Sequence, residues 1–386
     1  MFQKILIKSC NNQNEKGLDI SQIVDMMFYY GEVHIMMSNL ELMQLLSAFG
    51  EDVLYQLISN HLLILHPCDQ HAGALVSQNG AIMVDVFHNK NITSIDTLLY
   101  QYHRQIVHDS VMNVAFADRF SKVLKLFEYP KLVSESIVAD ISDDEKFSNL
   151  VQAFLRQYYP QYLDIEKVEI HAESVASKIN GLFRMESNLN MDELNRIHKN
   201  QGYEKEFSYE TLLVGIGETA QDCYLTSELS SDIITNNRWS EMYKLRMNQA
   251  INRSFYSREN INRFQELTTV DYFSPGSAFA AGQLSPQEIL NRLMLKDSIR
   301  FKEWLLQLPI DADLSNKMMD AALESNMQKW PIRTSRLVMP MIGGFINTGL
   351  GIILTGLDFF LGDKIEKGWN PTMFVNNVLK NNRLKK

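Results

Sequence analysis

A stretch of 25 residues, 337–361, limits what this chain can fold into more than any other feature of its sequence. It reads LVMPMIGGFINTGLGIILTGLDFFL and carries a single charge, Asp358. Some of its glycines recur seven residues apart and so share one face of a helix, where small residues let two helix backbones approach closely. The predicted interaction or membrane surface comprises these glycines and the flanking tryptophans: Gly344, Gly349, Gly351, Gly356, Trp330 and Trp369.

Two kinds of structure would remove such an apolar segment from water. In the first, about 20 apolar residues cross a bilayer as one helix, and the tryptophans lie at the lipid–water interfaces. In the second, Asn-Thr-Gly at 347–349 is a turn, and two short helices bury each other inside a helical domain. Pro340, Asp358 and glycines that each cost up to about 1 kcal/mol in a helix interior weaken an uninterrupted span. We favour the buried hairpin, and conditional membrane insertion through 337–361 stays open.

The net charge and the cysteine content limit the partners and the cellular compartment that we expect for this protein. The net charge of −9 opposes bulk attraction to a phosphate backbone, so we expect no nucleic acid partner. Three cysteines in 386 residues give neither a disulfide framework nor a four-thiolate zinc site. Residues 1–9 lack the apolar stretch of a signal peptide. We therefore expect a cytoplasmic protein, either free or peripheral to the inner face of a membrane.

The pattern of apolar residues predicts an α+β fold in which a mixed α/β N-terminal region is followed by a predominantly helical C-terminal domain. We expect an α+β domain at 1–130, a small α/β unit at 131–205 and a helical domain at 206–386, because 386 residues exceed one ordinary core. From Ser208 onward only helices are expected. Asn79-Gly80 between two apolar runs predicts a hairpin at 74–87 with a type I′ turn.

Three helix starts carry the residues of a capping box, in which each side chain satisfies a free backbone donor of the other. Ser38 is followed by Glu41, and Ser142 by Glu145. Ser285-Pro286-Gln287-Glu288 adds a proline at the first helical position, which favours a helix over about 286–308.

The tightest group of metal-binding residue types is His66, Cys68, Asp69 and His71. Imidazole, thiolate and carboxylate all bind zinc and other transition metals. A second ligand pair at a defined spacing is missing unless His103 and His108 supply it, so we favour a structural loop. The same His66, Cys68 and His71 are the only catalytic candidates, as a cysteine nucleophile beside a histidine.

Gly215-Ile216-Gly217 and Ala220 match the G-x-G-x-x-A pattern of dinucleotide-binding sites. The residues that follow are polar and helical in character, whereas a nucleotide site needs a strand before and after the glycines. We expect the glycines to permit close helix packing instead, and we expect no cofactor.

Abundant amphipathic helices without a recognisable active site favour an interaction or scaffold protein. It would dock a protein partner, or a second copy of itself as a homo-oligomer, through its helical C-terminal domain. One alternative is a membrane-active effector that uses 337–361. Another is a metal-dependent or cysteine hydrolase in the N-terminal domain. The sequence leaves open whether the protein is an enzyme.

Overall fold

The fold is that of a computed structural model, which describes most of the first 307 residues and three short later stretches. The described ranges are 3–8, 10–11, 16–68, 70–88, 94–106, 114–175, 181–229, 231–234, 239–252, 271–307, 332–334, 338–339 and 371–379.

Most of the strands lie in the first half of the chain, among helices, and helices predominate in the described part of the second half, which confirms the predicted α+β class. The strands are β1 Lys4–Ile7, β2 Cys10–Asn11, β3 Lys16–Gly17, β4 Glu32–Met37, β5 Leu63–Pro67, β6 Gln70–Val76, β7 Ile82–His88, β8 Ile170–Ser174, β9 Leu182–Ser187, β10 Asp232–Ile234, β11 Asp271–Phe273, β12 Ile332–Thr334 and β13 Val338–Met339. The helices are α1 Ile20–Tyr29, α2 Asn39–Phe49, α3 Glu51–Ser59, α4 Ile95–Ile106, α5 Val114–Ser121, α6 Lys131–Ser142, α7 Asp144–Tyr158, α8 Met191–Asn200, α9 Tyr209–Leu229, α10 Ser240–Asn252, α11 Pro275–Ala280, α12 Pro286–Leu293, α13 Lys296–Gln307 and α14, which is α-helical over Pro371–Phe374 and continues as a π-helix over Val375–Leu379.

The central sheet has the strand order β13-β10-β1-β4-β5. Strands β10, β1, β4 and β5 are parallel, and β13 is antiparallel to β10 at one edge. From β1 the chain moves through α1 to β4 and then through α2 and α3 to β5, while β10 joins the other side of β1. The direction of winding therefore reverses at β1.

Helices cover one face of the central sheet. Ile5, Ile7, Val33 and Ile35 point into a core that α1, α2 and α3 share with the later helices α12, α13 and α14. In that core the rings of Phe301 and Phe374 stack with centroids 3.9 Å apart. Helices α12, α13 and α14 therefore pack directly on the N-terminal helices.

The opposite face of the central sheet carries Leu6 and Met36, which pack on α6, α7 and α9. A second, antiparallel sheet of order β6-β7-β9-β8 lies against the same helices. A buried ion network connects these helices. The guanidinium of Arg246 on α10 donates to the Asp140 carboxylate on α6 over 2.6 Å. It also donates to the Thr219 hydroxyl on α9 over 3.1 Å. Lys146 on α7 pairs with the same carboxylate.

The hairpin predicted at 74–87 is present as β6 and β7, but its turn differs from the prediction. The Gly80 N–H donates to the Ser77 carbonyl over 3.0 Å, and Gly80 has φ +80° while Asn79 has no positive φ. This is a type I turn followed by a left-handed glycine, one of the common alternatives to the two-residue type I′ loop. The Asn79 carboxamide accepts from the Ala81 N–H over 3.2 Å and fixes the turn.

Two of the three predicted helix starts are confirmed. Glu41 accepts from the Ser38 N–H over 2.8 Å, and Glu288 accepts from the Ser285 N–H over 2.8 Å. At the third start, the cap is Asp143, because Ser142 is still the last residue of α6.

Two other predictions for the second half of the chain are wrong: that only helices follow residue 208, and that one helix extends over about 286–308. Short strands follow residue 208, and β10 even joins the central sheet. The helix expected over about 286–308 is broken into α12 and α13. At this break the Ser298 hydroxyl donates to the Arg292 carbonyl over 2.5 Å.

The apolar segment lies mostly outside the described residues. Its described part, Val338–Met339, forms a strand rather than a helix. Gly344, Gly349, Gly351, Gly356, Trp330 and Trp369 all lie outside the described ranges. None of the helices in the described part of the chain combines the length and the apolar character that crossing a bilayer requires.

Asp232, the first residue of β10, provides a stability test. Burial raises the pKa of its carboxyl to about 6, and its Oδ2 has no hydrogen-bond partner among the described residues. The folded state therefore holds this proton more tightly than the unfolded state, so stability falls as the pH rises from 3.8 to about 6. We expect Asp232→Asn to raise the free energy of unfolding at pH 7.5 by about 1–3 kcal/mol in urea titrations. At pH 3.5 the Asp232 carboxyl of the folded state is protonated. If Asp232→Asn raised the free energy of unfolding equally at that pH, the buried charge would not be the cause of the gain.

Candidate functional site

Polar side chains follow three strands of the central sheet at their carboxyl ends. Lys8 comes directly after β1, Ser38 after β4 and Cys68 after β5. In strands, alternate side chains share a face, so Lys8 lies on the same side of the sheet as Leu6, the side that α9 covers. The carboxyl edge of such a sheet, where the winding direction reverses, is where open α/β folds bind ligands.

Lys8 forms an ion pair with Asp222 of α9. The Lys8 side chain is 28% exposed whereas that of Asp222 is 5% exposed, so the carboxylate of the pair is the more deeply buried side chain. Burial alone would lower the pKa of Lys8, but the nearby carboxylates of Asp222 and Glu218 outweigh it and raise that pKa. Lys8 is therefore a cation at neutral pH, and Asp222 fixes its position.

Two tyrosines complete this group. Tyr243 of α10 donates its hydroxyl proton to the second oxygen of Asp222. Burial raises the pKa of Tyr243 and that of Tyr129 well above the ordinary value, so both phenols stay protonated. Asp222 and Cys68 contribute to the raised pKa of Tyr129, and the Tyr129 backbone N–H donates to the side chain of Gln70, two residues after Cys68.

Cys68 is half-buried at the same edge. Its backbone N–H donates to the Met37 carbonyl over 3.0 Å, and its Sγ lies 3.6 Å from the Gln70 carbonyl oxygen. Cys68 is also near enough to contribute to the raised pKa of Lys8. We call Lys8, Cys68, Tyr129, Asp222 and Tyr243 the carboxyl-edge cluster.

A histidine pair lies on the same face of the sheet, with His66 on β5 two residues before Cys68 and His34 on the adjacent strand β4. His34 Nδ1 is 2.9 Å from His66 Nε2, and His34 Nε2 is 3.1 Å from the Glu32 carboxylate. A carboxylate only accepts, so His34 Nε2 carries a proton, and His34 Nδ1 then accepts from His66 Nε2. The remaining nitrogen, His66 Nδ1, is left as a base. Burial, with the adjacent His34, lowers the pKa of His66 to about 4, so the ring is neutral at pH 7.

The structure separates the metal candidates that the sequence grouped. His66 pairs with His34, whereas His71 is exposed on β6 with its ring 6.4 Å from that of Phe87. Asp69 lies outside the described residues. Within the described ranges, no group of three or more His, Cys, Asp or Glu side chains is placed to hold a metal ion.

The glycine pattern in the sequence has a packing role, as expected. Gly215 and Gly217 lie inside α9, not between a strand and a helix. A Cβ atom added at Gly217 would come within 2.6 Å of the Ala72 Cβ, and one at Gly215 within 2.6 Å of the Trp239 ring. The glycines therefore let β6 and Trp239 approach the helix.

The helix N-termini near the carboxyl edge are occupied by acidic side chains. Asp19 accepts from the Gln22 N–H over 3.0 Å at the start of α1, and Glu41 occupies the start of α2. Helix N-termini that bind phosphate leave these N–H groups to the ligand. A phosphate at either helix would meet a carboxylate, so the geometry disfavours a nucleotide.

Comparison of the chain with protein-family models, with curated proteins and with solved structures found no match. The site must therefore be interpreted from its own chemistry.

Sequence reasoning found Cys68 but missed Lys8, Tyr129, Asp222 and Tyr243. The signal for Lys8 was present, because it directly follows the apolar run Ile5-Leu6-Ile7, which reads as a strand. Asp222 and Tyr243 carry no comparable signal, since they lie more than 200 residues further along the chain.

Proposed function

We propose that this protein is a thiol-dependent enzyme that acts on a small carbonyl compound at the carboxyl edge of its central sheet. The observation that carries the proposal is that Lys8 and Cys68 directly follow two parallel strands on the same face of the central sheet, and that Lys8 pairs there with Asp222. Cys68 supplies a half-exposed nucleophile, and Lys8 supplies the one cation of the carboxyl-edge cluster.

In the proposed reaction the Cys68 thiolate attacks the carbonyl carbon, and the carbonyl oxygen takes the displaced electron pair. The Lys8 ammonium stabilises both the thiolate and the oxyanion. When the oxyanion collapses, the leaving group departs and takes from solvent the proton that the Cys68 thiol had released there, and a thioester remains on Cys68. Water then hydrolyses the thioester. Asp222 and Tyr243 act as positioning residues, because they hold the ammonium rather than touch the substrate.

The substrate class follows from the surrounding charges. Asp19 and Glu41 occupy the helix starts where phosphate groups bind in related architectures. Asp222 and Glu218 further offset the charge of Lys8. A neutral or singly charged ester, thioester or amide therefore suits the site better than a phosphorylated compound.

Thiol labelling tests this proposal. We expect iodoacetamide at pH 7.5 to alkylate Cys68 at least tenfold faster than Cys223, because burial raises the pKa of the Cys223 thiol to about 12. Removing both charges of the ion pair, in Lys8→Met with Asp222→Asn, should slow the labelling of Cys68 about tenfold. Peptide mass spectrometry would follow each cysteine separately.

The matched control is Lys122→Met, which removes an exposed lysine paired with Asp118. It should leave the labelling rate of Cys68 unchanged. The proposal is refuted if Cys68 reacts as slowly as Cys223. It is also refuted if the double variant is labelled at the wild-type rate, because Lys8 would then not activate Cys68.

The sequence-based hypotheses of an interaction protein and of a membrane-active effector stay predictions. Light scattering after size-exclusion chromatography would test self-association, and affinity capture would test a protein partner. Leakage from vesicles would test the effector hypothesis, and Gly351→Glu should abolish it.

A further inference from the structure

A chain of three polar side chains lies on the face of the central sheet that carries Leu6 and Met36. His34 is only 3% exposed, and both of its ring nitrogens are bonded, Nε2 to the Glu32 carboxylate at 3.1 Å and Nδ1 to His66 Nε2 at 2.9 Å. Burying such groups costs hydration that apolar side chains at the same positions would not lose. Glu32, His34 and His66, here called the histidine relay, therefore point to a role beyond packing.

The histidine relay ends two residues from Cys68. The chain between His66 and Cys68 is extended, since the Cys68 N–H continues the ladder of β5 by donating to the Met37 carbonyl over 3.0 Å. Alternate residues of a strand share a face and are about 7 Å apart, which leaves room for one water molecule and an acyl group on sulfur. His66 is half-buried, and none of the described residues bonds its Nδ1, so this nitrogen can accept a proton from such a water.

The neighbouring rings fix the position of His66. Its ring is nearly parallel to that of His34, with centroids 5.2 Å apart, and Phe127 packs edge-on against it at 5.9 Å. When His66 Nδ1 takes a proton, the proton on His66 Nε2 can pass to His34 Nδ1. The positive charge then lies on His34, whose other nitrogen is 3.1 Å from the Glu32 carboxylate. The relay thus gives His66 a counter-charge that it does not contact directly.

We propose that His66 is the general base that hydrolyses the Cys68 thioester, with Glu32 and His34 as positioning residues; this inference rests on the function proposed above. His66 Nδ1 takes a proton from water while the water oxygen bonds to the carbonyl carbon of the thioester. When the resulting oxyanion collapses, the C–S bond breaks, its electron pair stays on sulfur and the carboxylic acid leaves. The proton on His66 then passes to the Cys68 thiolate, which restores the thiol.

Acetylation by p-nitrophenyl acetate separates the two halves of the reaction. The ester transfers its acetyl group to Cys68, and after gel filtration removes the excess ester, intact-protein mass spectrometry follows the loss of the acetyl group. We expect His66→Gln to be acetylated within about threefold of the wild-type rate, because Lys8 activates the thiol, but to lose the acetyl group about a hundredfold more slowly. His171→Gln, at an exposed histidine paired with Asp144, is the matched control and should lose it at the wild-type rate.

The pH dependence of acetyl loss is a readout that a structural role would not change. Burial lowers the pKa of both histidines, that of His66 to about 4, so the base is neutral well below pH 7. Acetyl loss from the wild type should therefore be nearly constant between about pH 5.5 and 8 and should fall in acid. In His66→Gln only hydroxide remains to attack, so acetyl loss should rise about tenfold per pH unit over that range.

Other ionisable groups do not disturb this profile. Apart from burial, only His34 shifts the pKa of His66. The other ionisable side chains on this face and on the elements packed against it are Lys4, Lys8, Glu32, Tyr129, Glu218 and Asp222.

The outcomes distinguish this inference from the function on which it rests. If wild-type Cys68 is acetylated and His66→Gln loses the acetyl group at the wild-type rate, His66 is not the base, whereas the thiol-dependent reaction stands. If no acetyl group forms on wild-type Cys68, the proposed function fails and the inference fails with it.

Glu32→Gln gives a second test if His66→Gln does not fold, because the amide keeps a hydrogen bond to His34 but carries no charge. It should slow acetyl loss about tenfold, and an unchanged rate would overturn the relay.

Discussion

Replacing Arg246 with methionine is expected to lower the free energy of unfolding by about 3–5 kcal/mol. The substitution leaves Asp140, which is 1% exposed, with Lys146 as its remaining cation. It also removes the donors to the Thr219 hydroxyl at 3.1 Å and to the Ile216 carbonyl at 3.2 Å. Urea denaturation at pH 7 measures the effect.

The pH dependence of this effect has a definite sign. Burial would raise the pKa of Asp140, but Arg246 and Lys146 outweigh it and hold that pKa below 3.8. The stabilisation is therefore present above 3.8 and is lost as the pH falls through the folded-state value. The difference between wild type and Arg246→Met should shrink in acid.

Arg156→Met is the matched control, because the Arg156–Glu166 pair has side chains 44% and 73% exposed. We expect it to change stability by less than about 1 kcal/mol. Adding Asp140→Asn to Arg246→Met should recover part of the loss. A loss under about 1 kcal/mol for Arg246→Met alone would mean that the network does not hold α6, α9 and α10 together.

The second large effect is expected at Gly217. Leucine at this position should lower stability by at least about 3 kcal/mol, because even its Cβ would lie 2.6 Å from the Ala72 Cβ. Both atoms belong to rigid positions, one in α9 and one in β6, so the helix must move away from the strand. Thermal and urea unfolding, with circular dichroism as the signal, measure the loss.

Glu228→Leu places the same side chain at an exposed position of the same helix and should stay within about 0.5 kcal/mol of wild type. The milder Gly217→Ala should be partly rescued by Ala72→Gly, which removes the opposing Cβ. If Gly217→Leu were as stable as wild type, the close approach of α9 and β6 would not hold in solution.

Local signals predicted local structure well. Ser38 with Glu41, and Ser285 with Glu288, mark real helix starts because a capping box depends only on residues three apart. The hairpin followed from Asn79-Gly80. Its turn type did not, because both loop geometries favour a glycine and differ only in the φ of the residue before it.

Long-range order could not be derived in the same way. Strand β10 is only three residues long, and nothing in Asp232-Ile233-Ile234 indicates that it pairs with Ile5-Leu6-Ile7. The candidate site could not be predicted from the sequence for the same reason, because its residues lie far apart along the chain. Cys68 and His66 were found as residue types close in sequence, but the partner of His66 is His34, and Cys68 lies near Lys8 and Tyr129.

The position of β10 has a consequence for synthesis. Strand β1 is complete at residue 7, but the strand that covers its free side begins at residue 232. At 5–20 residues per second, a ribosome needs roughly 10–45 seconds to make the intervening chain. Throughout that interval the apolar strand Ile5-Leu6-Ile7 presents an open hydrogen-bonding edge to every other nascent chain nearby.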